Sequence, residues 1–220
     1  MAKASALRVR LPVVVLSLLA VLVPAWPGRA AGAAAPAVQQ LITVTAANYG
    51  TTYATLRVYQ VSGAQQTLVF GPWTGARVGY NGVARPGAKR EGDGKTPSGT
   101  YGLSFFFGVQ PNPGVAFPYL HAFSYDYWDD DSASPLYNEW VSGKASAGRN
   151  PEPMHQVPAY NYAAVIAYNT ARTPGLGSAI FLHVGTGGST AGCVSLPASQ
   201  LLSVLRWLKP SANPRITITG

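Results

Sequence analysis

The stretch that decides how this chain folds is FLHVGTGGSTAGCVSLP, residues 181–197. It starts inside a short apolar run with turn-forming residues on both sides, which predicts a buried strand over residues 179–184. Alternation with a period of two places Leu182 and Val184 on one face of that strand and His183 on the other. The pattern therefore predicts an imidazole near the end of a buried strand.

A glycine-rich loop separates this histidine from Cys193. Four of the ten residues that end at Cys193 are glycine. Because glycine adopts positive φ at low cost, the loop is expected to fold back and bring Cys193 to His183. Leucines at helical spacing over residues 198–208 follow Pro197, so a helix is expected to start just after the cysteine, with its positive end favouring a thiolate.

Cys193 and His183 supply the parts of a nucleophilic site. A free thiol has a pKa near 8.5 and needs a base close by, and imidazole is the usual one. Backbone N–H groups of the loop, those of Gly192 and Cys193, are candidates for an oxyanion hole. A lone cysteine is more often an inert buried side chain, so the residues alone leave both interpretations open.

Three separated motifs resemble the L,D-transpeptidase (YkuD-type) catalytic domain. They are FLHVG with STAGCVSL around the cysteine, GDGKTPSGTY at residues 92–101, and DYWDDDSASPLYN at residues 126–138 followed by YAAVIAYN. They occur in the order of that family, and the best-matched part of the chain is residues 75–220. The sequence departs from the family pattern at Ala191, where a histidine is usual, and at Ser195, where an arginine is usual.

The resemblance implies an activity and a set of site residues. Cys193 would attack a peptidoglycan tetrapeptide stem and form a thioester, with His183 as the base, and the amine of a second stem would resolve it into a 3→3 cross-link. Water in place of the amine would make the protein an L,D-carboxypeptidase, and a non-catalytic wall-binding module is a further alternative. The weaker candidates for contacts to the substrate are Tyr80, Asn81, Thr96, Trp128 and Thr190.

The rest of the chain predicts a mostly β domain. Strands are expected at residues 41–47, 53–61, 65–70, 163–168 and 215–219, and loops between Gly71 and Gly99. The fold class expected is a sandwich or barrel of curled mixed sheets, with one main helix after the cysteine. One catalytic domain is expected over residues 41–220, after a linker at residues 34–40.

The N-terminus has the pattern of a secretory signal peptide. Basic residues at Lys3, Arg8 and Arg10 precede an apolar run of about sixteen residues, and Ala31-Gly32-Ala33 fits the cleavage rule. Residues 1–33 are therefore expected to be removed, which predicts a protein outside the cytoplasm and associated with the cell wall. A retained anchor is less favoured because a membrane span needs roughly twenty apolar residues.

Composition excludes several other classes. Residues 1–33 hold four of the sixteen basic residues and none of the eight acidic ones, and the remaining basic residues are scattered. No nucleic-acid stripe is therefore predicted. The stretch GDGKTPSG lacks the spacing of a phosphate loop, so no nucleotide is expected. With a single cysteine, neither a disulfide framework nor a multi-cysteine metal site forms, and no cofactor or metal is predicted.

Overall fold

The computed structural model describes residues 37–144 and 147–220, and the expected signal peptide at residues 1–33 lies outside them. Within the described part, strands predominate and one α-helix lies near the C-terminus. No helix there is long and apolar enough to cross a membrane. The elements are β1 (Gln40–Ala46), β2 (Tyr53–Ser62), β3 (Gln65–Arg77), β4 (Val83–Ala84), β5 (Thr96–Pro97), β6 (Gly99–Tyr101), β7 (Leu103–Gly108), β8 (Tyr119–His121), β9 (Asp126–Trp128), β10 (Trp140–Ser142), β11 (Glu152–Pro153), β12 (Ala163–Ile166), β13 (Phe181–Val184), β14 (Val194–Leu196), α1 (Ala198–Trp207) and β15 (Arg215–Thr219).

Ten strands form one mixed sheet in the order β6-β15-β1-β2-β3-β14-β13-β12-β7-β8. Only Gly102 separates β6, at one edge, from β7, next to the other edge. The two ends of the sheet must therefore approach each other, so the sheet is curled as in a partly closed barrel. This confirms the expected fold class of curled sheets with one main helix.

Most predicted strands lie within a few residues of their expected bounds, and two differences have clear causes. β3 runs on to Arg77, because a bulged pairing with β2 carries it through Gly71 and Pro72. β1 starts at Gln40, one residue inside the expected linker. The Gln40 amide donates to the Trp207 carbonyl at 2.9 Å and accepts from the Lys209 N–H at 2.8 Å, which ties the start of the strand to the end of α1.

The two faces of the sheet bury different sets of side chains. The larger cluster contains Leu182 and Val184 of β13 together with Leu201 and Leu205 of α1. The smaller cluster lies on the opposite face, where Phe181 packs against aromatic side chains from β7, β9 and the segment before β12. The predicted alternation of β13 is confirmed, and it keeps the catalytic candidates on the side away from the helix.

Leu182→Ala tests the larger core. Leu182 is fully buried, so the substitution leaves a cavity and is expected to lower the free energy of unfolding by about 3 kcal/mol. Leu68→Ala is the matched control, because Leu68 on β3 is 45% exposed. Denaturant unfolding of both variants measures the difference, and equal losses would contradict the assigned core.

Candidate active site

Parallel pairing of β13 with β14 sets the geometry of the site. His183 lies opposite Ser195, and Leu182 lies opposite Val194. In this register Cys193, the residue just before β14, is level with Phe181 and on the same face of the sheet as His183. The glycine loop therefore brings the cysteine to the histidine side of the sheet, as the sequence predicts.

His183 and Cys193 line one cavity of about 360 Å³. Tyr80, Thr190 and Gly192 line it as well. Tyr80 is exposed at the rim, and its backbone N–H donates to the Thr190 carbonyl at 2.7 Å. A cavity that holds a thiol, an imidazole and a set of backbone N–H groups has the contents that acyl transfer requires.

The thiol of Cys193 is almost completely buried, with 7% of the residue exposed. Its Sγ donates to the Ala179 carbonyl at 3.2 Å and accepts from the Phe181 N–H at 3.3 Å. Burial raises the pKa of the thiol to about 12, and the Glu152 carboxylate adds to this rise. At neutral pH the sulfur is therefore protonated at rest.

His183 is held as a neutral base. Its Nδ1 lies 2.8 Å from the Val184 carbonyl, which can only accept, so this contact favours the tautomer with the proton on Nδ1 and the lone pair on Nε2. The backbone of Ala159 also hydrogen-bonds to the imidazole. Burial lowers the pKa of the imidazole, and the ring packs edge-on against Tyr160 with centroids 5.4 Å apart. Among the described residues, no hydrogen bond joins this ring to the thiol.

The expected link between Cys193 and a helix N-terminus is wrong. The strand Val194–Leu196 lies between the cysteine and α1, which starts at Ala198. Three residues of extended chain span about 10 Å, whereas the field of a helix end acts mainly within one turn. The pKa of Cys193 is accordingly raised by burial and not lowered by the helix.

Two threonines orient the backbone of Cys193. Thr190 Oγ1 and Thr96 Oγ1 donate to the Cys193 carbonyl at 2.6 and 3.1 Å. Thr96 is fully buried and also accepts from the Gly79 N–H, so it supports the cysteine from behind and does not line the cavity. The Gly192 N–H donates to Thr190 Oγ1 at 3.2 Å. Of the two N–H groups predicted for the oxyanion hole, only that of Cys193 is without an acceptor in the described part of the chain.

Two other candidates lie away from the cavity that holds the thiol. Trp128 is buried against Phe181 and donates from Nε1 to Asn138. Asn81 is exposed, and its amide donates to the Asp93 carbonyl. The structure thus gives both residues packing or loop contacts where the sequence predicted cleft-lining positions.

The comparisons with known proteins identify the family of the chain. The sequence matches the family model of the L,D-transpeptidase catalytic domain over residues 54–218. The chain belongs to that family. No curated protein and no solved structure matches it. The family acts on peptidoglycan stem peptides in general, and the matched region includes both Cys193 and His183.

Sequence reasoning missed the charged wall of this L,D-transpeptidase cavity. Glu91, Asp130 and Glu152 line it together with the buried Lys89, which pairs with Asp93 at 2.7 Å. Burial and the neighbouring Glu91 and Glu152 raise the pKa of Asp130 to about 6. Glu91, Asp130 and Glu152 are far apart in sequence, so only the fold brings them together. Asp130 lies within the motif at residues 126–138, but that motif predicted no charged wall.

The sequence also assigned no role to Asn138. Its Oδ1 accepts from the Ala179 N–H at 3.2 Å, and its Nδ2 donates to the carbonyls of Tyr168 and Asn169. Ala179 has a φ of +51°, a conformation that is uncommon for alanine. Asn138 thus stabilises the unusual turn that aims the Ala179 carbonyl at the thiol.

Variants that remove one charge from the cavity wall test how Glu152 and Lys89 affect the pKa of Cys193. Glu152→Gln is expected to lower the pKa of Cys193, and Lys89→Met to raise it, because Glu152 opposes the thiolate and Lys89 favours it. The rate of iodoacetamide alkylation between pH 7 and 11 measures this. For each unit by which the pKa of Cys193 falls, the thiolate fraction at pH 8 rises roughly tenfold, and alkylation becomes faster by about the same factor. Glu139→Gln, at a surface carboxylate paired with Arg172, is the control, and shifts of the same sign in both wall variants would refute the assignment.

Asp130→Asn tests the carboxylate cluster through stability. The native pKa of about 6 exceeds the ordinary value of 3.8, so the native state binds more protons between these values and loses stability as the pH rises through them. At pH 8 the free energy of unfolding of the variant is expected to exceed that of the parent by about 1 kcal/mol, a value that allows for solvent screening at a partly exposed group. At pH 3 the two free energies are expected to be equal.

The neighbouring Asp131 gives a control of opposite sign. The Ala133 N–H and the Arg149 side chain hold the pKa of Asp131 below its usual value, so Asp131→Asn is expected to lose stability at pH 8. Urea unfolding at both pH values measures the two variants. A loss of stability in Asp130→Asn at pH 8 would contradict the repulsion among the three carboxylates.

Proposed function

We propose that this protein is a secreted cysteine L,D-transpeptidase that acts on peptidoglycan tetrapeptide stems and forms 3→3 cross-links through a thioester. The observation that carries the proposal is the presence of Cys193 and His183 on one face of the sheet and in one cavity, within the region that matches the family. The pattern of residues 1–33 supports a site of action outside the cytoplasm.

The first chemical step moves the thiol proton to His183. At rest the thiol donates to the Ala179 carbonyl, and rotation about its Cα–Cβ bond, fast for a side chain, releases it towards the cavity. The lone pair of His183 Nε2 then takes the proton while Sγ attacks the carbonyl of the third stem residue. Because the resting pKa of Cys193 is about 12, deprotonation is coupled to attack and does not precede substrate binding.

When the tetrahedral intermediate collapses, His183 gives up the proton that it took from the thiol. The negative oxygen is stabilised by the Cys193 N–H, which the threonine contacts to its own carbonyl hold in place. As the C–N bond breaks, the imidazolium of His183 protonates the leaving amine of D-alanine, and a thioester remains on Sγ. The amine of a second stem loses a proton to His183 and attacks the thioester. The C–S bond then breaks, and the imidazolium of His183 returns the proton to the departing sulfur, which regenerates the thiol.

A carbapenem tests the nucleophile, because its strained amide acylates a reactive thiol. The mature protein is expected to gain one adduct by mass spectrometry, Cys193→Ala none, and His183→Ala an adduct that forms at least about a hundredfold more slowly. His121→Ala, at an exposed histidine, is the matched control and should react like the parent. Absence of an adduct on the parent would overturn the catalytic proposal in favour of a wall-binding module.

Incubation with a disaccharide tetrapeptide then identifies the acceptor. Release of D-alanine together with a cross-linked dimer supports transpeptidation. Release of D-alanine without a dimer would replace this proposal with L,D-carboxypeptidase trimming, in which water resolves the same thioester.

A further inference from the structure

Four side chains form a continuous row across the sheet, starting from the catalytic imidazole. His183 pairs with Ser195, Ser195 pairs with Arg77, and Arg77 pairs with Tyr53. Directly paired residues point to the same face, so this row extends the face of the active site across β14, β3 and β2. Adjacent strands lie about 4.8 Å apart, which places the Arg77 backbone roughly 10 Å from that of His183.

A second cavity of about 210 Å³ lies along this row. Arg77, Tyr53 and Ser195 line it on the sheet side, and Gly185 and Gly187 line it from the catalytic loop. Among the described residues, Ser195 is the one that borders both this cavity and the larger cavity of Cys193. The two cavities are therefore neighbours along one face.

Arg77 presents a positioned cation to the second cavity. Its guanidinium donates to the carbonyl and hydroxyl of Thr52 and to the Gly187 carbonyl, at 3.2, 3.1 and 3.4 Å, and lies 3.7 Å from the ring centroid of Tyr53. These contacts use three of its five N–H groups. No carboxylate in the described part of the chain lies within ion-pair distance of it.

Ser195 adds an unused hydroxyl to the same place. The residue is 1% exposed and lines both cavities. Its Oγ has no hydrogen-bond partner among the described residues, and it is not one of the fully enclosed polar atoms that lack a partner. A hydroxyl at the wall of a cavity can bond water there and can exchange that water for a ligand group. Ser195 Oγ is therefore available to donate to a ligand group that accepts a hydrogen bond at the border of the two cavities.

Charge favours an anion at this end of the face. Glu91, Asp130 and Glu152 line the larger cavity, so a negative group is repelled there and attracted to Arg77. The forked guanidinium binds carboxylates through paired, charge-assisted hydrogen bonds. Stem peptides of the class proposed above carry several carboxylates.

We propose that Arg77 and Ser195 form a subsite for a carboxylate of the peptide substrate, remote from the bond that Cys193 attacks. This inference rests on the proposed function for the class of substrate. A separation of roughly 10 Å corresponds to about three residues of extended peptide. The proposal assigns the subsite to a carboxylate elsewhere on a stem and not to that of the leaving residue.

Binding measured on Cys193→Ala protein tests the subsite without any chemistry. By calorimetry, a tetrapeptide stem with free carboxylates is expected to bind about tenfold more tightly than the same peptide with carboxamides, as one charge-assisted contact provides. Arg77→Gln should abolish this preference, and Arg77→Lys should retain part of it. Ser195→Ala, which leaves the cation in place, should reduce it about threefold. Peptides amidated at one carboxylate at a time then identify the group bound.

Arg57→Gln in the same background is the matched control. Arg57 lies on β2, four residues from Tyr53 and on the same face, but does not line the second cavity. It should keep the full preference. A preference that survives in Arg77→Gln, or that is absent from the parent, overturns the subsite. An unchanged preference in Ser195→Ala overturns the role of the serine. If the carbapenem adduct forms and the preference does not depend on Arg77, this inference fails alone. If the preference depends on Arg77 and no adduct forms, the catalytic proposal fails alone.

Discussion

The parallel pairing of β13 with β14 is the constraint on which the site depends. It places Ser195 beside His183 and puts Cys193 level with Phe181 on the same face. A shift of one residue in this register would turn the cysteine into the larger core on the opposite face. The glycines of the intervening loop let the chain turn back and form a parallel strand after only nine residues. Gly192 is the clearest case. Its φ is +152°, and a Cβ there would lie 3.1 Å from the Lys95 carbonyl.

The same burial that protects the thiol keeps it inactive at rest. Desolvation raises the pKa of Cys193 and lowers that of His183, so the resting pair is a neutral thiol and a neutral imidazole. This state avoids the cost of a buried ion pair. It also limits oxidation of Cys193, because a buried, protonated thiol is oxidised more slowly than an exposed thiolate. In the proposed mechanism, the proton moves only when a substrate offers a carbonyl whose developing charge the site stabilises. Reactivity then depends on the substrate and not on a permanently ionised nucleophile.

Charge divides the accessible face into two regions. Carboxylates crowd the wall of the larger cavity, and Arg77 lies in the smaller one. Under the proposed function, such a division would orient a peptide that carries both ammonium and carboxylate groups before any chemistry starts. The orientation follows from long-range electrostatics and from a cross-strand row of side chains, and both are properties of the folded sheet.

The sequence by itself determined the mostly β class, the helix near the C-terminus, the faces of β13 and the choice of Cys193 and His183 as candidates. Period-two alternation, glycine turns and residue chemistry are local properties, which is why the sequence carries them. It did not predict the strand Val194–Leu196, which is too short to show a period and forms because β3 and β13 flank it. The acidic wall, the Asn138 contact to Ala179 and the row from His183 to Arg77 were decided only by the tertiary structure. Each of them joins residues that are tens of positions apart, and such contacts exist only once the sheet has set its register.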